Sequence, residues 1–296
     1  MRHASPIALA VLACLSLAGL AAPARADVPI VQGWFPVPQQ PYGVLAHSDG
    51  TVWVGTTGSV LRYTRTGALL GTVATYAAAS LAEAPGGDVY VLDYWSRVVN
   101  RYTSAGAFVQ SWPMAYAMRE GGRVVVDGAG DVYVLCFTSG FVTCALVKYT
   151  ATGTELAAVT GLPGSDGLAL SGGALYCSEI YGGVMRKFSL ALAPLGTIVN
   201  PATYGTGLGS DAAGNLMQPD YYGHTAYYLD AAGAVLGQFV TTGSGYYSQW
   251  IPVGADESSD HVTFIADGYN WQIVLFDGSV VPAETQAWGE LKASFR

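Results

Sequence analysis

The chain carries little charge. Of its 296 residues 11% are Asp, Glu, Lys or Arg while 51% are hydrophobic, a balance that excludes an extended, self-repelling disordered chain. Histidine is scarce, four in all, so a zinc centre built from several imidazoles lacks its ligands. No Gly-x-Ser-x-Gly elbow with a placed histidine occurs. Gly207-Leu208-Gly209 lacks the strand–glycine–helix setting of a nucleotide loop. Beyond the N-terminus no stretch is long and apolar enough to cross a bilayer as a helix. What is abundant is turn and strand material: 38 Gly, 19 Tyr and 7 Trp. That profile suits a β-rich globular protein with a sizeable core.

The first 26 residues stand apart. Arg2 and His3 precede an apolar run from Ile7 to Ala22, and Pro23-Ala24-Arg25-Ala26 follows. A basic start, a short apolar region and an Ala-x-Ala site make residues 1–26 a secretory signal peptide, with cleavage expected after Ala26 and a secreted or periplasmic product. A lipoprotein signal using Cys14 and an uncleaved anchor are the rival readings. Cleavage leaves 11 basic against 21 acidic residues, a net charge of −10. Such a surface is a poor match for nucleic acid or anionic membranes. Three cysteines remain, Cys136, Cys144 and Cys177. An oxidising compartment favours a disulfide, and the odd count leaves one thiol over. Cys136 and Cys144 flank what reads as a loop and are the expected pair, with Cys136 to Cys177 as the alternative.

From Ala79 to Trp112 the chain reads as one complete unit of short apolar strands and tight turns: a run around Leu81, the turn Pro85-Gly86-Gly87-Asp88, Val89-Tyr90-Val91 ending at Asp93, Arg97 to Tyr102, a turn at Gly106, and a last strand. Four antiparallel strands cannot bury both faces alone, so neighbouring copies must cover them. Two markers repeat. The third-strand aromatics Tyr63, Tyr102, Tyr149, Phe188, Tyr228 and Phe276 recur every 39 to 48 residues, and the second-strand positions Val52, Val89, Val132, Leu175, Leu216 and Thr263 every 37 to 47. Six copies of a four-stranded unit at this period predict an all-β, six-bladed β-propeller over residues 27–281. A ring needs its ends tied, since an open one exposes sheet edges, and Pro29 to Phe35 is the segment available to do it. Residues 282–296 form a tail in which Trp288, Leu291 and Phe295 share one face of a short helix.

The pattern in Ser80 to Gly106, apolar-apolar-Ala, a turn with Asp, Val-Tyr-Val-x-Asp, Arg-Val-x-x-Tyr and Gly, echoed in Gly43 to Gly67, resembles the NHL repeat of six-bladed propellers. The resemblance implies binding as the default role, with enzymes among the relatives: streptogramin lyases, amidating lyases and calcium-dependent lactonases. It is specific for fold and poor for function.

In a propeller the ends of the second strands and the starts of the first strands surround the channel mouth. The loops there carry aromatics outside the repeat: Tyr94-Trp95, Phe137 and Phe141, Tyr181, Tyr221-Tyr222 with His224, and Tyr269-Asn270-Trp271. Tyr94, Trp95, Tyr181, Tyr222, His224, Tyr269 and Trp271 are the candidate ligand-binding residues, able to stack on rings or face a cation. Asp93, Asp166, Glu179 and Asp220 are candidate metal ligands, a calcium set of the kind the lactonase-like relatives imply. Against that stands a structural use, since an acid at the end of such a strand also caps its own turn, Asp93 and Asp267 above all. The expected function is non-catalytic recognition of an extracellular glycan, peptide or protein, with enzymatic activity the less favoured reading. The alternative is a metal-assisted lactonase or lyase at the channel mouth, with calcium as its cofactor.

Overall fold

The computed structural model describes residues 30–117, 122–181, 183–239 and 252–277. The expected signal peptide and the tail with Trp288, Leu291 and Phe295 lie outside the described residues. Twenty-four strands form six separate four-stranded antiparallel sheets, each made of strands consecutive in sequence except the last. Among the described residues there is no α-helix. This is the six-bladed β-propeller that the repeat spacing predicts.

Blade 2 shows the unit: first strand Ala78–Glu83, second Val89–Asp93, third Val98–Tyr102 and fourth Phe108–Pro113. The second strand is buried at every position. It pairs with strands on both edges, and the neighbouring blades cover both its faces, so the usual alternation of buried and exposed side chains is lost. The fourth strand lies at the rim and exposes Phe108 and Val109. Six hydrophobic clusters are described, each joining one blade to the next. Within them stand the marker aromatics Tyr63, Tyr102, Tyr149, Phe188 and Phe276. Backbone ladders hold each blade together, and these clusters hold blade to blade.

The glycines of the turns before the fourth strands serve this packing. Gly153 sits at φ +87, and a Cβ there would lie 2.4 Å from the ring of Trp112 on the preceding blade. Only glycine combines that backbone conformation with that approach.

The ring is closed by the N-terminal strand Ile30–Pro36, which pairs antiparallel with Gln272–Asp277 and becomes the fourth strand of blade 6. Phe35 is opposite Ile273 and enters the cluster between blades 6 and 1, its ring centroid 5.1 Å from that of Tyr63. The pleat turns Trp34, its neighbour, to solvent.

The expected Cys136–Cys144 disulfide is corrected. Cys136, Cys144 and Cys177 are buried free thiols. Cys136 stands opposite Ala145, and Cys144 opposite Phe137. This one-residue offset sends the two side chains to opposite faces of the sheet, Cys136 toward blade 2 and Cys144 toward blade 4. The alternative partner, Cys177, shares the cluster of Cys144 and not that of Cys136. Burial pushes the Cys136 thiol up to about 12 and that of Cys144 up to about 11, so neither is a ready nucleophile.

Candidate active site at the channel mouth

The six first strands line a central channel of about 320 Å³. At the face where second strands end it meets a cavity of about 220 Å³, lined by Tyr42, Tyr94, Arg123, Phe137, Phe141, Asp166, Tyr204 and Tyr221 together with Ala79, Gly122, Thr206 and Val253. Every blade contributes to it.

Arg123 opens the first strand of blade 3, Arg123–Val126, and lines both spaces. Gly122 sets the approach: at φ +138 it runs so close to the Leu135 carbonyl that a Cβ would stand 2.7 Å from the oxygen. From there the guanidinium spans three blades. Nη1 donates to the Ala79 carbonyl at 2.7 Å, Nε to the Asp166 carbonyl at 2.9 Å, and Nη2 to Asp166 Oδ2 at 3.0 Å. Asp166 comes from the first strand of blade 4, Ser165–Ser171, and its side chain keeps 23% exposure. Burial raises its pKa above the ordinary carboxylate value, against the opposing pull of Arg123. The result is a paired cation and carboxylate at the channel mouth.

Aromatic rings wall the cavity. Tyr42 and Tyr94 stack with centroids 5.3 Å apart and planes 21° from parallel. Phe137 and Phe141 meet edge to face at 4.9 Å. Tyr204 contacts Tyr181 at 5.1 Å, Tyr221 at 5.5 Å and Tyr222 at 4.9 Å. Burial is the main cause that raises the hydroxyl pKa values of Tyr42 and Tyr204, so both are neutral donors near pH 7.

Of the seven expected ligand-binding residues, Tyr94 alone lines this cavity. Tyr181 and Tyr222 back Tyr204 from outside it, Trp95 abuts Tyr94 edge to face at 4.7 Å, and Tyr269, Trp271 and His224 are exposed on the other mouth loops. The expected metal ligands do not converge. Asp93 Oδ1 accepts the N–H groups of Trp95 and Ser96, both at 3.0 Å. Asp220 accepts from Thr203 N at 2.8 Å, Tyr204 N at 3.0 Å and Gly223 N at 3.1 Å, which fixes the segment bearing Tyr204. Glu179 is ion-paired with Arg186 at 2.7 Å, and Asp166 with Arg123. Among the described residues no three His, Cys, Asp or Glu side chains gather as a metal site. A calcium ion needs six to eight oxygens, and here a guanidinium stands beside the one carboxylate that faces the cavity. These residues do not fit a metal.

Arg123 escaped the sequence reading. Its signal was faint but present: the other first strands open on Pro41, Ala78, Ser165, Gly209 and Pro252, so a charge at this point of the repeat is unusual.

No family model matches the chain, so the specific NHL assignment is not confirmed. No curated protein matches it either. Solved structures match its fold. A streptogramin B lyase superposes with a TM-score of 0.62 at 16% identity, covering 82% of this chain and 96% of its own. A virginiamycin B lyase from Staphylococcus aureus gives 0.60 at 12%, covering 83% and 98%. A gluconolactonase from Xanthomonas campestris gives 0.63 at 17%, covering 80% and 87%. At these identities the likeness is one of fold. All three are enzymes. The expectation of a non-catalytic binding module, with enzymatic activity less favoured, is therefore corrected, and the lactonase- or lyase-like reading is carried forward.

Proposed function

We propose that the chain is an enzyme that opens cyclic esters, lactonase- or lyase-like, with its site at the channel mouth. The observation that carries this reading is the Arg123–Asp166 pair at the base of an aromatic cavity. Among the described residues three of the five guanidinium N–H groups are placed, which leaves one on Nη1 and one on Nη2 for a substrate oxygen. Donors held in advance where negative charge develops are the main source of stabilisation in acyl transfer. A carboxylate whose pKa is raised by burial is a suitable base.

In hydrolysis, water attacks the ester carbonyl carbon while Asp166 takes its proton and Arg123 holds the oxyanion. The carbonyl then re-forms, the ring C–O bond breaks, and the departing alkoxide recovers the proton from Asp166. In elimination, Asp166 removes a C–H proton next to the carbon bearing the ester oxygen. The C–H electron pair becomes the double bond, and the carboxylate leaves facing Arg123. Both routes put charge on ester oxygens at the same place. Gain of water in the product mass separates them.

The test is ring opening of a lactone panel followed by pH-stat and mass spectrometry. Arg123→Gln and Asp166→Asn are each expected to lower kcat/KM by about 100-fold or more, with a wild-type pH–rate profile that rises above the ordinary carboxylate range. Lactones left intact, or opened equally well by both variants, would overturn the reading. Export with cleavage after Ala26 is part of the same proposal, supported by the composition of residues 1–26. A secreted or periplasmic product beginning at Asp27 is the expected result of N-terminal sequencing, and one that retains residues 1–26 would refute it.

A further inference from the structure

We propose that the mouth cavity selects a small, neutral cyclic ester fused to or bearing an aromatic ring, and rejects a polyhydroxylated sugar lactone. This rests on the ring-opening reading above and names the substrate class of that site. Six of the twelve lining residues are Phe or Tyr, and the one cation there is paired with the one carboxylate. The site is neutral as a unit. A charged substrate would meet like charge on Arg123 or Asp166, and an anion would also have to approach a chain of net charge −8. A sugar lactone brings several hydroxyls, each of which needs a partner once it leaves water. Apart from the tyrosine hydroxyls the walls give them few partners: Thr206 already donates its hydroxyl to the Pro252 carbonyl, and Arg123 and Asp166 are engaged with each other and reserved for the ester.

An aromatic ring loses nothing there. It finds edge-to-face and stacked neighbours of the kind that favour ring pairs beyond simple burial. The near-parallel Tyr42–Tyr94 pair and the Phe137–Phe141 pair come from blades 1, 2 and 3, whereas Arg123 and Asp166 lie toward blades 3 and 4. A planar substrate can therefore rest on rings while its ester group points at the guanidinium. The size agrees: about 220 Å³ lies below the range of about 300–1,000 Å³ typical of drug-sized ligands, so the enclosed part holds one or two fused rings.

Three six-membered lactones test this on the full chain: dihydrocoumarin, δ-valerolactone and δ-gluconolactone. The expected order of kcat/KM places dihydrocoumarin about tenfold above δ-valerolactone and about 100-fold above δ-gluconolactone, once the intrinsic reactivity of each is divided out as its uncatalysed rate. Tyr94→Leu is expected to shrink the ratio of dihydrocoumarin to δ-valerolactone turnover about fivefold through KM, and Tyr94→Phe to keep it, because the ring and not the hydroxyl makes the contact. Equal or better turnover of δ-gluconolactone that still requires Arg123 would overturn the substrate class and leave the ring-opening reading standing. Failure to hydrolyse any of the three would bring down the hydrolytic form of that reading and this inference with it. A ratio unmoved by a folded Tyr94→Leu protein would also count against the aromatic platform.

Discussion

The two ends of the central channel use carboxylates in opposite ways. At the mouth Asp166 faces a guanidinium across a blade boundary and remains open to a cavity. At the far end Asp256 and Glu83 hold the first turn of blade 1 from both sides. Asp256 Oδ2, on blade 6, accepts the Ala46 N–H at 2.8 Å, and Glu83, on blade 2, accepts the Ser48 N–H at 2.8 Å and the Ser48 hydroxyl. His47 between them, buried, has Nε2 2.8 Å from the Gly87 carbonyl. Burial pushes the Asp256 carboxyl up to about 7, with Glu83 and Glu257 adding to the rise against backbone N–H bonds from Ala46 and Glu257. The mouth carries its acid with a counter-charge and keeps it available for chemistry. The far end turns its acids into a clasp over the blade 6–1–2 boundary, where the ring is closed. A charged side chain at a channel end is thus no sign of a site by itself; what it faces decides.

Removing the counter-charge should have the largest effect. Arg123→Met leaves Asp166 facing the cavity without its cation and is expected to cost about 3 kcal/mol in urea unfolding, as breaking a largely buried pair does. Arg123→Met combined with Asp166→Leu should recover much of that stability while activity stays lost. If the double variant is as unstable as the single one, the loss comes from the bond to Ala79 rather than from the stranded acid. The far end should respond to pH instead. A carboxyl whose pKa is raised from 3.8 to about 7 on folding contributes stability that is fully present below about pH 4 and lost as pH climbs through about 7. Wild-type protein is therefore expected to lose stability as pH rises from about 4 to about 7 and to level off above it. Asp256→Asn should flatten that decline and gain on the order of 2 kcal/mol over wild type at pH 8.5. A variant that tracks the wild-type pH curve would show that Asp256 titrates as an ordinary acid.

The sequence revealed the architecture because every marker of a blade is local. Val-Tyr-Val before Asp93 and the aromatic at Tyr102 announce strands whose partners lie within 15 residues, and repetition supplies the rest. The site depends on contacts between blades. Arg123 reaches Asp166 and Ala79 across sequence separations of 43 and 44 residues, and no pattern within its own blade foretells them. The carboxylates misled for a related reason. Asp93 and Asp220 begin loops at a channel mouth, where a turn cap and a metal ligand have the same sequence signature, and only their bonds to backbone N–H groups tell the two apart; Asp267, expected as a cap, accepts the Tyr269 N–H. Cys136 and Cys144 failed by a single residue of register, which decides the face of the sheet but leaves no trace in spacing.

Smaller effects probe the same contrast. Glu83→Ala removes the hooks on Ser48 and is expected to cost about 1 kcal/mol, the net worth of a typical hydrogen bond. In a double-mutant cycle with Ser48→Ala the share carried by the Ser48 hydroxyl should vanish while the share carried by the backbone N–H stays, and full additivity would show that the hydroxyl bond contributes nothing. Calcium should do least. Asp93 and Asp220 already accept N–H groups, Glu179 and Asp166 already face guanidinium groups, and an ion would have to break those bonds to gather its oxygens. A ligand that binds only the native state raises its stability in proportion to the logarithm of its concentration over Kd. The melting temperature in millimolar calcium and in excess chelator is therefore expected to agree within about 1 °C. A rise of several degrees with calcium would mean that the mouth carboxylates exchange these partners for the ion. The contrast between the two ends would then be one of metal against clasp rather than ion pair against clasp.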